Sequence, residues 1–307
     1  SVIALETIGG VRRVKVVGDE AKLMMGKTPP NIEALRPLKD GVIADIEIAE
    51  QMIKHFIRKA VGGRRARGHE MVLCIPSGST VVERRAIRDA AMNSGASRVC
   101  LVEEPMAAAI GAGLPVAQPQ GAMVVDIGGG TTEVAIISLN GLAYSGSVRI
   151  GGDQLDEAIA SSIRRRHNLM IGEMTAERIK CQIGAATMPD GTGQELSVKG
   201  RHLVSGRPSE LTISELEVAE ALREPIGQIV AAVRAALEQI APELAADIMD
   251  QGITVTGGGA LLRRIDQALS EATGLSVNIA DDALMCVAKG AGATLEDPVY
   301  AGVLHSA

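Results

Sequence analysis

Apolar and polar positions alternate along this chain in two periods, and the switches between them mark the predicted elements. Residues 1–17 combine an apolar-rich run, the turn Ile8-Gly9-Gly10 and the alternating stretch Val14-Lys15-Val16-Val17, which together predict a β-hairpin. A loop rich in Pro and Gly extends from there through Pro30. From Asp45 to Ala60 the residues Ile46, Ile48, Met52, Ile53, Phe56 and Ile57 recur at helical spacing, and Gly62-Gly63 forms a helix stop ahead of an exposed basic loop, Arg64 to Arg67. Met71 to Pro76 reads as a short buried strand. Thr80 and Glu83 then have the spacing of a capping box for a helix reaching Asn93-Ser94-Gly95. Arg98 to Val102 predicts another strand, and Glu103-Glu104-Pro105 leads into a helix of small residues, Met106 to Gly113, with proline well placed at its start.

The two prolines of residues 114–121 predict a connector and a lobe boundary. Beyond it, Met123 to Asp126 reads as an apolar strand, Gly128 to Gly130 as a turn and Thr132 to Ile137 as a second strand, with Leu142 to Val148 a candidate third. Strands and then helices in both halves suggest an internally duplicated architecture. Residues 151–216 read as an insertion with helices near 153–166 and 174–185 and a polar stretch at 187–212. A long amphipathic helix from Glu215 to Ile240, a strand Ile253 to Thr256, the run Gly257-Gly258-Gly259, a helix Ala260 to Thr273 and a small-residue helix at 284–296 complete the pattern.

Length and composition narrow the class. At 307 residues the chain exceeds what one core usually serves, so two lobes with a cleft, or one large α/β domain, are expected. With 46% hydrophobic and 22% charged residues and a net charge of -6, it has the make-up of a soluble globular protein and no basic imbalance for nucleic acid. Its aromatics are Phe56, Tyr144 and Tyr300, which leaves no stacking platform for single strands. Cys74, Cys100, Cys181 and Cys286 have no metal-ligand spacing and read as reduced core residues of a cytosolic protein. No apolar run approaches the roughly 20 residues of a membrane span, and no signal peptide is evident. The strand-like start Ser1-Val2-Ile3-Ala4-Leu5, with no initiator Met, suggests a piece of a longer protein.

Five motifs carry candidate chemistry. In Asp126-Ile-Gly128-Gly129-Gly130-Thr131-Thr132 a strand delivers a carboxylate beside three glycines, so backbone N–H groups can meet a phosphate with no Cβ in the way, and Asp126 could hold hydrated Mg2+. These glycines open a strand, whereas the commoner phosphate loops open a helix. Taken alone, the stretch is also a plain glycine hairpin. Thr256-Gly257-Gly258-Gly259 places another glycine turn after a strand, opening a helix whose dipole could meet a nucleotide. Glu177 and Lys180 share one helix face, as a solvated ion pair or as a grip on ribose and base. Gly151-Gly152-Asp153 is a helix start with Asp153 either a cap or a ligand. Glu104, at a strand end before a small-residue helix, is either a surface acid or suited to orient a water.

The order of these motifs resembles the actin, sugar-kinase and heat-shock-chaperone ATPase superfamily. Ile75-Pro-Ser-Gly78 with Val82-Glu-Arg-Arg-Ala86, Glu104-Pro-Met-Ala-Ala-Ala-Ile-Gly111 and Val124 to Val134 resemble the bacterial cell-shape (MreB) family, over nearly the whole chain. The resemblance implies an α/β, two-lobed, actin-like fold with ribonuclease-H-like sheets, a subdomain inserted in each lobe and Mg-ATP in the cleft. The lobes would span residues 1–113 and 114–285, with the second lobe's insertion near 151–216 and residues 286–307 returning to the first. It implies Asp126 for the metal; Gly128, Gly129, Gly130 and Thr131 for the phosphates, with Asp153 beside them; Glu104 and Thr131 for the attacking water; Glu177 and Lys180 for adenosine; and Gly257, Gly258 and Gly259 for the α-phosphate and base side.

The implied activity is slow hydrolysis of ATP coupled to polymerisation into paired protofilaments at the cytoplasmic face of the inner membrane. The implied partners are a second copy of the chain, the membrane surface, a transmembrane shape adaptor and the wall-synthesis proteins of elongation. The helix from Thr80 to Ser94 resembles the surface through which such protofilaments pair, and a charged solvated helix accounts for it equally. The basic loop at 62–70 would meet anionic lipid by charge or stand solvated. A first phosphate hairpin and an N-terminal anchor would precede Ser1 in the family. A metabolite kinase or a chaperone-type ATPase of the same fold are the alternatives, but no sugar-binding loop and no peptide-binding domain are evident.

Overall fold

The computed structural model describes residues 2–39, 42–43, 45–60 and 68–306, so the expected basic loop Arg64 to Arg67 lies outside the described residues. The chain divides into two compact units, residues 1–75, 79–102 and 304–307 in the first and 76–78 and 103–303 in the second.

In the first unit β1 (Ile3–Ile8) is the central strand, antiparallel to β2 (Val11–Val17) on one side and, after the short helix α1 (Asp19–Met24), to β3 (Ile32–Leu35) on the other. The hairpin is as the sequence predicts, whereas the expected loop through Pro30 contains α1. This six-residue helix has Asp19 and Glu20 in its first turn, where they complement the helix dipole, and it is too short for its period to register. A two-rung ladder of β4 (Leu38–Lys39) and β5 (Val42–Ile43) precedes α2 (Ile46–Ala60), which buries Ile48 and Met52 against Ile3, Leu5 and Val17. Next come β6 (His69–Ile75), α3 (Val81–Asn93) and β7 (Ala96–Glu103), and the C-terminal strand His305–Ser306 pairs antiparallel with β7. The predicted capping box of α3 forms: the Glu83 N–H donates to Thr80 Oγ1 at 3.2 Å and the Thr80 N–H to Glu83 Oε2 at 2.7 Å.

The second unit opens with α4 (Glu104–Gly111), β8 (Ala122–Ile127), β9 (Thr132–Ser138), β10 (Gly141–Val148) and α5 (Gly152–His167). It continues through β11 (Leu169–Met170), α6 (Glu173–Ile183), β12 (Glu195–His202), β13 (Pro208–Ser214), α7 (Glu215–Leu237) and α8 (Pro242–Gln251). It closes with β14 (Ile253–Thr256), α9 (Ile265–Thr273), β15 (Val277–Ile279) and α10 (Cys286–Glu296). The main sheet runs β10-β9-β8-β14-β15, antiparallel through β8 and parallel from β8 to β15.

Every residue of β8 is buried, which explains its continuous apolar run in place of alternation. Met123, Val125, Ile127, Val134 and Ile136 pack with Leu155 and Ile159 of α5 and Leu222, Ile226 and Ile229 of α7 in one core. Small residues let α4 and α10 meet at backbone distance: a Cβ on Gly111 would lie 1.8 Å from the Cys286 carbonyl oxygen, and one on Gly290 would lie 1.8 Å from that of Ala107.

Three sequence expectations give way to the structure. The polar stretch 187–212 contains strands β12 and β13; in β12 only Val198 is buried, so the two-residue period carries little hydrophobic contrast. The helix expected from Ala260 to Thr273 is a 3-10 turn at Gly258–Leu261 and then α9, broken at Arg264, whose φ of 60° no α-helix tolerates. Of the four free cysteines, Cys100 and Cys286 are buried and Cys74 half-buried. Cys181 is exposed, because α6 buries the opposite face through Ala176, Ile179 and Ile183. No helix among the described residues is long and apolar enough to cross a membrane.

Candidate functional site

The glycine hairpin is built by β8 and β9. The Gly128 N–H donates to the Thr131 carbonyl at 2.8 Å and closes the turn. Gly128, Gly129 and Gly130 all lie outside the left-handed region, so turn geometry alone does not demand glycine there. The hairpin is pinned to α5: the carbonyls of Gly128 and Gly129 accept from the N–H groups of Gly152 and Asp153 at 3.0 and 2.7 Å. Thr132 Oγ1 donates to the Ile150 carbonyl at 2.7 Å on the same side. Gly151 permits this junction, since a Cβ there would stand 2.7 Å from Gly128 O and from the Gly129 carbonyl. The N–H groups of Gly129 and Gly130 donate to no acceptor among the described residues, and Gly129 is exposed. The α5 cap is Gly151 with Gln154, whose Oε1 accepts the Gly151 N–H at 2.9 Å; Asp153 therefore is not the cap, and its carboxylate stands beside Gly129.

A cluster of carboxylates lies behind the hairpin. Asp126 and Glu133 are cross-strand partners, 2% and 1% exposed. Thr256, opposite Asp126 on the parallel strand β14, donates its hydroxyl to Asp126 Oδ1 at 2.7 Å. Glu133 accepts from Ser147 Oγ at 2.6 Å and, at a longer 3.4 Å, from the Ser77 N–H. Glu104 is half-buried at the start of α4. Burial, and then the charges of Asp126 and Glu133, push its carboxyl up to about 7. Burial likewise raises Asp126, which Thr256 opposes, and Glu133, which Ser147 opposes. Glu104 and Thr131 share no hydrogen bond among the described residues.

Lys180 joins α6 to α5. Its ammonium donates to the Gly152 carbonyl at 2.8 Å and stands 2.8 Å from Asp156 Oδ1, off hydrogen-bond alignment, so the Asp156 contact is held by charge. Asp156 is 4% exposed, and its carboxyl is raised to about 6 because burial outweighs Lys180, with Glu177 and Asp153 adding to the rise. Gly257, at φ 80°, and Gly259 pack on the end of β8, where Cβ atoms would come within 2.4 Å of Ile127 O and 2.1 Å of Ile127 Cγ2. This segment opens the 3-10 turn rather than a helix, so no long helix dipole points from it.

The structure therefore gathers Glu104 and Asp126 into one acidic cluster. It sets Asp153 and Lys180 against the hairpin junction, and Gly257 and Gly259 against the β8 end. The turn and the hairpin lie beyond the carboxyl ends of β14 and β8, where open α/β sheets bind ligands. Glu133 and Thr256 complete that cluster, Asp156 pairs with Lys180 at the junction, and all three are absent from the residues that the sequence predicts for the site. Counting back from the turn puts Glu133 opposite Asp126, and helical spacing puts Asp156 beside Gly152, so both are within reach of register arithmetic. No group of three His, Cys, Asp or Glu among the described residues forms a direct metal site. The carboxylates of Asp126, Glu133 and Glu104, each raised by burial, are a hard-oxygen set that would suit a hydrated Mg2+ held through its waters.

Residues 1–301 match the MreB/Mbl protein family. Over 299 residues the chain is 54% identical to the cell shape-determining protein MreB of Escherichia coli (strain K12), covering 96% of this chain and 86% of that protein. The crystal structure of MreB 5 of Spiroplasma citri bound to AMPPNP superposes with a TM-score of 0.90 at 38% identity, covering 96% of this chain and 88% of that one. The MamK double helical filament, at 23% identity and a TM-score of 0.79 over 97% of this chain and 91% of that one, shares the fold.

Proposed function

The chain belongs to the MreB/Mbl family and has its actin-like α/β fold, and from this premise we propose that it binds Mg-ATP at the glycine hairpin and hydrolyses it slowly as it polymerises. One observation carries the proposal: the hairpin's carbonyls are committed to α5 while the N–H groups of Gly129 and Gly130 are left without an acceptor among the described residues. Such donors suit phosphate oxygens.

On this reading Gly128, Gly129, Gly130 and Thr131 cradle the β- and γ-phosphates, with Asp153 at their flank. Asp126 would hold Mg2+, which when bound would supply neutralisation of phosphate charge. Glu104, with Thr131, orients the water for in-line attack, so the chain's contribution is positional and electrostatic. Glu177 and Lys180 hold the adenosine, and Gly257, Gly258 and Gly259 its α-phosphate and base side. The relative bound to AMPPNP supports the reading that a protein of this fold holds a nucleotide. The cell-shape role of the Escherichia coli relative supports filaments that organise wall synthesis at the inner membrane, with a shape adaptor and elongation enzymes as partners.

The test is sedimentation of the full-length protein with Mg-ATP and anionic vesicles, and then electron microscopy. ATP-promoted pelleting into paired filaments is the expected result. A protein that stays monomeric at high concentration under those conditions overturns the filament reading, and a phosphorylated small-molecule product would replace it with a kinase.

A further inference from the structure

A buried ionic clamp lies outside the residues that would touch the nucleotide. Glu215, the first residue of α7, is 3% exposed. Its Oε1 accepts from Arg264 Nη2 at 2.6 Å, and its Oε2 faces Arg263 Nη2 at 3.2 Å and accepts the Gln194 N–H at 3.2 Å. The two arginines reach onward into the segment after α6: Arg263 Nε donates to the Gly184 carbonyl at 3.2 Å, and Arg264 Nη2 to that of Thr187 at 2.9 Å. The Ala186 N–H donates back to the Arg263 carbonyl at 2.8 Å.

The clamp thus ties together two places that the sequence keeps far apart. One is the end of α6, where the Gly184 N–H caps onto the Lys180 carbonyl at 2.9 Å. The other is the turn after Gly257 to Gly259, where the Leu262 N–H donates to Gly259 O at 3.0 Å. Arg264 sits at φ 60°, a backbone state costing about 1 kcal/mol or more outside glycine, and the two bonds of its guanidinium hold it there. The carboxylate is buried but the two guanidinium side chains are partly exposed, at 36% and 27%, where solvent screening limits what such pairs add to stability, so stability alone is a poor reason for them.

We propose that Glu215 is a positioning residue for the adenosine half of the nucleotide site: through Arg263 and Arg264 it fixes the spacing between the Lys180 end of α6 and the Gly257 to Gly259 turn. The proposal rests on the nucleotide reading given above. It assigns no role in the phosphate cradle, whose hairpin is held independently by α5.

Two ligands separate this role from a general loss of structure. Labelled ATP probes both halves of the site, whereas inorganic tripolyphosphate probes only the cradle. In Glu215→Gln, ATP is expected to bind about tenfold more weakly, the scale of one lost charge-assisted contact, while tripolyphosphate affinity and the saturating hydrolysis rate stay within about twofold of wild type. Arg263→Met should lower ATP affinity in the same way, and the double variant should be no weaker than the worse single one, because the residues act as one clamp. Unchanged ATP affinity in both soluble variants overturns the proposal, as does an equal loss for ATP and tripolyphosphate. If Glu215→Gln fails to fold, Arg263→Met carries the same test. A wild-type chain that binds neither ligand overturns the nucleotide reading itself, and the proposal with it.

Discussion

Asp126 and Glu133 sit directly opposite each other across β8 and β9, two buried carboxylates at one rung of an antiparallel ladder. Like charges at such a rung repel, and burial raises both groups. A buried acid raised in the folded state favours folding at low pH, and that contribution is lost as pH rises through its folded value. Glu133→Gln should therefore stabilise the nucleotide-free protein by about 1 kcal/mol at pH 8, with the gain fading on acidification. Thermal unfolding across pH measures it; a gain that grows toward acid contradicts the assigned repulsion.

Glu104 gives a sharper pH window. Its folded carboxyl, raised to about 7 from 4.5, holds a proton between those values that the unfolded chain has released, so its contribution to stability is full below 4.5 and is lost as pH rises through about 7. Glu104→Gln should raise the melting point at pH 8 by the equivalent of about 2 kcal/mol, discounted from the full shift for partial solvent screening, and by nothing near pH 4.5. On the proposed mechanism the carboxylate form orients the water, so hydrolysis should climb with pH toward a plateau above about 7. Glu104→Gln should keep ATP binding and lose roughly a hundredfold in phosphate release. A variant that loses binding instead would remove Glu104 from the water.

Much of the fold is legible in the sequence, and the exceptions have physical causes. The buried run of β8, the turn at Gly128 and the helical period of α2 depend on local pattern, and Thr80 with Glu83 depends on a three-residue spacing, so each stands where expected. The strands β12 and β13 are hidden because one buried Val198 gives β12 little period, and the break at Arg264 is hidden because a guanidinium held by Glu215 and Thr187 overrides helix propensity. Glu133 and Asp156 join the site, and Glu215 the clamp behind it, through pairings between separate elements, which a linear reading reaches only once register and packing are known.

The contact of α4 with α10 predicts opposite outcomes for two glycines of one helix. A Cβ on Gly290 would collide with the Ala107 carbonyl, whereas Gly292 has nothing within 4 Å. Gly290→Ala should separate the helices and destabilise the protein by about 3 kcal/mol, while Gly292→Ala should stabilise it by about 0.5–1 kcal/mol through helix propensity. Denaturant midpoints of the two variants decide the matter. Because α4 begins at Glu104, Gly290→Ala should also slow hydrolysis more than it weakens ATP binding.

The hairpin supplies the most direct test of what its glycines are for. Gly151 needs to be glycine for folding, since a Cβ would press on Gly128 and Gly129, so Gly151→Ala should lower stability whether or not nucleotide is present. Gly129 has no such reason: its backbone is outside the left-handed region, and a Cβ would meet only Asp153 Oδ2, at 4.0 Å. Gly129→Ala should leave the unfolding temperature of the nucleotide-free protein unchanged, yet weaken ATP binding by at least about tenfold, because on the proposed reading the new methyl group stands where phosphate oxygens would approach the N–H groups. Calorimetric titration beside thermal unfolding reads both quantities. Equal ATP affinity in Gly129→Ala and wild type would return the hairpin to a plain turn, since the one property that glycine confers there and alanine lacks is room beside the backbone.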